Sequence, residues 1–330
     1  MRHHFGDLLD RDGEHWTIVP NRDRHAYRIG DVPAGSPEVT IVTIGKDEGN
    51  WSRIATLPNL EELTLHEPTK EQLSATGKLR SIKRLRITHA RPKSIDFLRS
   101  LGNVEELVLE YVSGFEDLSP LGSLKRLRAL HLENLRGVSD FSGLSGLANL
   151  KYLAVTGTLD WNQPISDFEF LRGLPLLEVL SLWWFINKTP YPALLPALSL
   201  AHLKRLHLGG RSLPVSEYAL LEEGFDGVAG ATWGPYEIVT HAWISIPRND
   251  VRAHLPAETL RANHPEVVIT FDGRREIADP AAQWFEFTGK GASKLKCTSK
   301  TAEARCREYA SAYAAMKAAA RALIRERGAR

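Results

Sequence analysis

Cysteine and long apolar runs are what this chain of 330 residues most clearly lacks. Its two cysteines, Cys297 and Cys306, are too few for a disulfide framework, and such sparse use is typical of proteins that fold in a reducing compartment. The sequence has no run of about 18 apolar residues, which a membrane-spanning helix needs. It also begins without the apolar core of a secretory signal. We therefore expect a cytoplasmic protein with no membrane span.

What the sequence does have is a repeat. Seven segments place aliphatic residues at offsets 0, +3, +6 and +8, and they begin at Leu57, Leu79, Leu101, Leu124, Leu147, Leu174 and Leu200. An eighth, worn copy consists of Phe225, Val228, Ala231 and Trp233. A period of about 20–29 residues with this pattern indicates units of one strand and one return segment. Because a single unit cannot bury its own apolar face, the units must stack.

The return segments carry a motif of their own, in which an apolar residue, any residue, aspartate and a second apolar residue follow one another. It occurs at 115–118, 138–141 and 165–168, with a partial copy at 94–97. With these motifs the chain resembles the leucine-rich-repeat superfamily, in particular the short repeats of internalins and phosphatase-regulatory proteins. The resemblance implies that the chain binds other proteins on a concave face. The asparagine that the family usually places after each strand is absent, so the turns must use other hydrogen-bond partners.

The predicted fold class is α/β, a leucine-rich-repeat solenoid with its parallel β-sheet on the concave face. The solenoid is predicted to cover residues 39–235 in about eight repeats, after an N-terminal segment and cap at 1–38. Residues 236–330 are predicted to form a small α+β unit with a basic terminal helix. Its strands are expected at 236–246, 267–271, 284–287 and 294–297, a short helix at 256–264, and a long helix from Thr301 onward.

The spacing also predicts which side chains the concave face presents, because residues that flank the inward leucines point the other way. A charged patch is expected from Arg84, Arg86, Glu106, Glu110, His131 and Glu133. An aromatic patch follows it with Tyr152 and Trp183, and both residue types are enriched at interface hot spots. We expect Trp184 and Phe185, by contrast, to pack beneath the loop 186–196.

The charged patch raises the alternative of a hydrolase-like enzyme that uses Glu110, His131 and Glu133. Neighbouring carboxylates can raise each other's pKa and divide the roles of acid and base. They could also begin a metal site with His131, but His66 and His207 are predicted to lie several strands away, so a third ligand is lacking. No nucleophile–base motif and no phosphate-binding glycine loop accompanies the patch. We therefore expect no enzyme activity, no metal and no cofactor.

The distribution of charge raises a second alternative, a nucleic-acid-associated protein that acts through its basic C-terminal tail. Residues 288–330 contain 11 Lys and Arg against 3 Glu, a net charge of +8, so the rest of the chain carries −6. Basic clusters bind phosphate. Lysine and arginine late in a helix also complement its dipole, however, and no recognised nucleic-acid motif is present. The favoured prediction is a scaffold that presents a preformed concave surface to a protein partner.

Overall fold

The computed structural model describes residues 10–12, 15–17 and 27–328. They belong to two compact units. The repeat unit comprises Met1–Ser212 and Gly224–Ala231, and the C-terminal unit comprises Leu213–Glu223 and Thr232–Arg330. Of the predicted N-terminal segment and cap, residues 1–9, 13–14 and 18–26 lie outside the described part of the chain.

The repeat unit consists mainly of short strands. They are β1 Asp10–Asp12, β2 His15–Thr17, β3 Tyr27–Arg28, β4 Ile41–Gly45, β5 Glu62–His66, β6 Arg84–Thr88, β7 Glu106–Glu110, β8 Ala129–Glu133, β9 Tyr152–Thr156, β10 Gln163–Pro164, β11 Val179–Trp183, β12 Phe185–Ile186 and β13 Arg205–Leu208. One short helix, α1, spans Lys70–Thr76. It begins with a capping box, in which Thr69 and Gln72 each accept a hydrogen bond from the other's backbone N–H.

Nine of these strands form one parallel sheet in the order β13-β11-β9-β8-β7-β6-β5-β4-β3. The register is constant, so that Leu107 pairs with Leu130 and Leu130 with Leu153. These three side chains are 0% exposed. The inward leucines of successive repeats therefore stack into one continuous core, and the predicted leucine-rich-repeat solenoid is confirmed.

The return segments are mostly 3-10 helices. The repeated aspartate lies two residues before the first residue of three of them. The 3-10 helices span Ile29–Asp31, Trp51–Thr56, Asp96–Ser100, Ser119–Ser123, Ser142–Leu144, Glu169–Gly173 and Leu195–Ser199. Asp117, Asp140 and Asp167 each accept the backbone N–H two residues later, at 2.7, 2.8 and 2.9 Å. In each motif the aspartate thus forms a local side-chain turn that satisfies the first N–H group of the 3-10 helix that follows.

The backbone groups of the turns that follow the strands form hydrogen bonds without the row of asparagines that leucine-rich repeats usually have. The first turn residue is left-handed in five repeats, with φ between 45° and 55°: Glu67, His89, Tyr111, Asn134 and Trp184. Backbone groups continue the ladder here, as where the N–H of Tyr111 donates to the carbonyl of Glu133 at 2.9 Å. The buried Gln163 side chain accepts from the N–H of Leu135 and donates to the carbonyl of Val138. Backbone bonds and this glutamine are therefore the other partners that the sequence required.

The last repeat is present only in part. Phe225 and Ala231 are buried, and Ala229 forms a single parallel bridge with Arg205 in place of a full strand. Trp233, the fourth position of the worn copy, belongs to the C-terminal unit. The sheet therefore ends in one bridge beyond β13.

The C-terminal unit is α+β, as predicted. Its elements are α2 Val215–Gly224, β14 Tyr236–Thr240, β15 Trp243–Ser245, α3 Ala257–Asn263, β16 Val267–Ile269, β17 Arg275–Ala278, β18 Gln283–Phe287, β19 Lys294–Lys296 and α4 Ala302–Gly328, with 3-10 helices at Val251–Ala253 and Pro280–Ala282. Two antiparallel sheets have the orders β14-β18-β19 and β15-β17-β16. Helix α4 buries Cys306, Tyr313 and Ala320, which are members of one apolar stripe.

Candidate functional site

The concave face of the solenoid is the face of the sheet that points away from the leucine core. It presents three rows of side chains at the first, third and fifth positions of the strands, because the register pairs equivalent residues, such as Glu110 with Glu133. Across β5 to β13, all within the described chain, most of these side chains are buried or half-buried. Trp183 is the exposed one, at 41%. The face is therefore a packed surface with one exposed aromatic position.

Arg84 lies between two buried carboxylates on the neighbouring strands. Its Nη1 donates to Glu62 at 2.5 Å and its Nε donates to Glu106 at 3.0 Å, and these glutamates are 3% and 1% exposed. Burial lowers the pKa of Arg84, but the charges of Glu106 and Glu62 outweigh that effect and raise it. This end of the charged patch is thus a buried ion-pair network that ties three strands together.

The other end of the charged patch brings Glu110, His131 and Glu133 together on β7 and β8. Arg86 donates to Oε2 of Glu110 through Nε at 3.0 Å and Nη2 at 2.6 Å. The Nε2 atom of His131 lies 3.3 Å from Oε2 of Glu133. One side-chain ligand atom from each of Glu110, His131 and Glu133 lies within 4.8 Å of the other two. The two carboxylates and the imidazole are therefore three candidate ligand groups in one place, without His66 or His207.

Tyr152 is buried, so the expectation that it projects as an accessible anchor is wrong. It is 7% exposed and belongs to a cluster with Val108, Ala129, Ala154 and Val179. These neighbours are small, and they leave room on the concave face for a large ring to pack against them. Burial raises the pKa of Tyr152 to about 12. The residue therefore stabilises the concave face itself.

Trp183 and Trp184 form an exposed aromatic pair where β11 ends. Their ring centroids lie 6.3 Å apart, and they are 41% and 45% exposed. The expectation that Trp184 packs beneath the following loop is wrong, because its left-handed backbone breaks the alternation of the strand. Phe185 is buried as expected, at 5% exposed, and its ring packs edge-on against Phe168 of the preceding return segment. The aromatic patch is thus Trp183 with Trp184, in place of Tyr152 with Trp183.

A second group of aromatic rings lies where strands β5, β6 and β7 end. It is not among the predicted site residues. The ring of His89 stacks on that of Tyr111 at 4.8 Å and contacts the edge of His66 at 5.3 Å. Burial, and then the charges of Glu133 and Glu110, raise the pKa of Tyr111. His89 and Tyr111 are the first turn residues of successive repeats, so their pairing follows from the repeat spacing, whereas His66 is the last residue of β5 and pairs in register with Thr88.

The basic tail is largely engaged in ion pairs where it is described. On α4, Lys317 binds Glu222 at 2.8 Å and Glu223 at 3.1 Å, and Arg321 binds Glu223 at 2.7 Å. Both glutamates lie on α2. None of the described helices is long and apolar enough to cross a membrane. These ion pairs hold α4 against α2 within the C-terminal unit, and they neutralise part of the tail's positive charge.

Similarity to known proteins is found among solved structures. No family model matches the sequence, and no curated protein matches it. An internalin (inlF) from Listeria monocytogenes is similar at 22% identity and a TM-score of 0.40, over 51% of this chain and 47% of that chain. Internalin C2 from the same organism is similar at 25% identity and a TM-score of 0.39, over 52% and 69%.

A third likeness is to the ectodomain of the Arabidopsis receptor kinase HAESA, solved with a peptide hormone ligand, at 20% identity and a TM-score of 0.36 over 50% of this chain and 28% of that chain. This chain therefore spans about half of the first internalin. At TM-scores this low, the assignment of the fold rests on the repeat and the sheet. The leucine spacing and the parallel register give this chain a leucine-rich-repeat fold.

Proposed function

We propose that this protein is a non-enzymatic scaffold that binds a protein partner at the C-terminal part of its concave face, with Trp183 and Trp184 as the anchors. The observation that carries the proposal is the exposure of two adjacent indole rings, Trp183 on a concave face that is otherwise mostly buried or half-buried and Trp184 at the turn after β11. Large exposed apolar groups on a folded protein usually mark a contact surface, and tryptophan is the residue most enriched among binding hot spots.

The rest of the concave face has a supporting role in this proposal. Tyr152 fixes the shape of the surface next to the anchors because it is packed among its neighbours. Arg84 and Arg86 form ion pairs with Glu62, Glu106 and Glu110. Their positive charge is therefore largely neutralised within the sheet. A preformed surface of this kind loses little conformational entropy when it binds.

The proposal includes no catalysis. In the enzyme alternative, Glu110, His131 and Glu133 would need a free carboxylate and a nucleophile or activated water within reach. Arg86 already holds Oε2 of Glu110 with two hydrogen bonds, so this carboxylate has a structural partner within the sheet. The arrangement therefore supports a structural or ligand-binding role better than turnover.

Quantitative affinity capture tests the proposal. Wild-type protein, the double variant Trp183→Ala with Trp184→Ala, and the control Trp243→Ala are each used to capture partners from a lysate of the source cell. Trp243 is a suitable control because it is 45% exposed but lies on β15 of the C-terminal unit. We expect a protein that wild type and Trp243→Ala recover equally and that the double variant recovers at least tenfold less. Equal recovery by all three would contradict the site.

The salt dependence of binding distinguishes the nucleic-acid alternative from a protein-binding scaffold. Binding through lysine and arginine weakens steeply as salt is raised, because counterions are released from phosphate. We expect wild-type protein to show no saturable binding to a random-sequence duplex at physiological salt. Saturable, salt-sensitive binding that survives in the double tryptophan variant would move the function to the basic tail.

A further inference from the structure

Three potential metal ligands from neighbouring strands converge on the concave face. Glu110 ends β7, and His131 and Glu133 lie on the adjacent β8. Their candidate ligand atoms all lie within 4.8 Å of one another. Their side chains are 14%, 12% and 27% exposed. They are thus open enough for an ion to enter and enclosed enough to be held in place.

His131 and Glu133 already have the spacing of two ligands around one metal ion. Two ligand atoms that each lie about 2.1 Å from a tetrahedral zinc ion are about 3.4 Å apart. The Nε2 atom of His131 and the Oε2 atom of Glu133 are 3.3 Å apart, which is long for a hydrogen bond. The imidazole has little else to hold it, because its Nδ1 atom is buried and has no hydrogen-bond partner among the described residues.

The charges at this place favour a cation. Glu110 and Glu133 lie directly opposite each other in the register, and like charges at such positions destabilise a sheet. Arg86 neutralises one of the two carboxylates by binding Oε2 of Glu110. It also fixes the orientation of that carboxylate, as outer-shell partners of metal ligands do.

We propose that Glu110, His131 and Glu133 form a binding site for a divalent zinc-class cation. One imidazole nitrogen and two carboxylate oxygens suit zinc, whereas magnesium and calcium prefer oxygen ligands alone. Three protein ligands leave one position of a tetrahedral ion for water or for a group from another molecule. The inference does not depend on the tryptophan pair, because the two sites are on different strands and are tested by different variants.

Calorimetric titration of metal-free protein with zinc chloride tests the site. The N-terminal histidines and the two cysteines offer zinc other places to bind. The measured quantity is therefore the difference in bound zinc equivalents between wild type and each variant. We expect His131→Ala and Glu133→Gln each to lose one equivalent or to weaken it at least tenfold. Magnesium chloride should give no saturable signal at the same concentrations.

Matched controls separate the site from general effects of substitution. His202→Ala and Glu116→Gln change an exposed histidine and an exposed glutamate elsewhere on the repeat unit, and both should bind zinc as wild type does. Far-ultraviolet circular dichroism of each variant checks that it is folded. If His131→Ala does not fold, the nearly isosteric Glu133→Gln decides alone. Unchanged stoichiometry and affinity in Glu133→Gln, or no saturable zinc binding by wild type, would overturn the proposal.

Discussion

The indole ring of Trp183 lies over Gly209, which follows the neighbouring strand β13. A Cβ atom on Gly209 would stand 3.3 Å from Cζ3 of that ring. The exposed tryptophan is therefore supported from the side by a residue that has no side chain, and its orientation depends on the space that this glycine leaves.

This relationship predicts that Gly209→Val displaces the ring of Trp183 while leaving the core intact. The branched side chain needs the space that the indole occupies, so the ring must rotate toward solvent. We expect a shift of the Trp183 indole N–H resonance in a nitrogen–proton correlation spectrum, with recovery of the partner reduced. Gly209→Ala serves as the graded control and should give a smaller shift, since the ring has to yield only slightly. Identical spectra for wild type and Gly209→Val would refute the packing.

A second prediction concerns the leucine core. Leu130→Ala should lower the free energy of unfolding by about 2–5 kcal/mol, because it leaves a cavity in a packed interior. The control is Leu159→Ala, whose side chain is 84% exposed and whose loss should change stability by less than about 0.5 kcal/mol. Urea denaturation measures both. Equal effects of the two substitutions would be incompatible with the stacked core.

A third prediction concerns Arg84. Arg84→Met removes the shared partner of Glu62 and Glu106 and leaves both carboxylates buried without it, which should cost about 3–5 kcal/mol at neutral pH. Urea denaturation at neutral pH measures the deficit relative to wild type. A deficit of less than about 1 kcal/mol, the range of an exposed ion pair, would contradict the buried network.

A fourth prediction follows from the burial of Tyr152, which raises its pKa from 10.0 to about 12. The phenol keeps its proton in the folded state after the unfolded chain has lost it, so its contribution is intact below pH 10 and is lost between pH 10 and 12. The difference amounts to about 3 kcal/mol. Tyr152→Phe should therefore lose stability less steeply than wild type over this interval, as measured by denaturation at stepped pH. Parallel pH profiles would place the ring in solvent.

The repeat fixed most of what the sequence could predict, because each leucine position is set by local spacing and by the need to stack. The rows of the concave face followed from the same spacing, which is why the meeting of Glu110 with Glu133 was predictable. Burial within those rows was not, because it depends on the sizes of residues that come from different repeats. Tyr152 is covered through its packing with Val108, Ala129 and Val179, which come from three different repeats.

Other misses arose where the backbone leaves the regular pattern. The exposure of Trp184 follows from a left-handed turn residue, and the alternation of a strand does not predict that geometry. The absence of the row of asparagines was predicted correctly. Gln163, which takes over part of its role by bonding to Leu135 and Val138, lies outside the repeated leucine pattern. Such a contact is specific to this chain, so the general repeat pattern carries no information about it.

The dissociation constant of the captured partner tests the central claim most directly. It is measured by calorimetry for wild type, for the double variant Trp183→Ala with Trp184→Ala, and for Trp243→Ala, after all three are shown to have the same melting temperature. Because a truncated hot-spot anchor typically costs about 2 kcal/mol or more, the double variant should bind at least about tenfold more weakly. Trp243→Ala should bind as wild type does. An unchanged constant in the double variant would contradict the account and place the interface elsewhere on the protein.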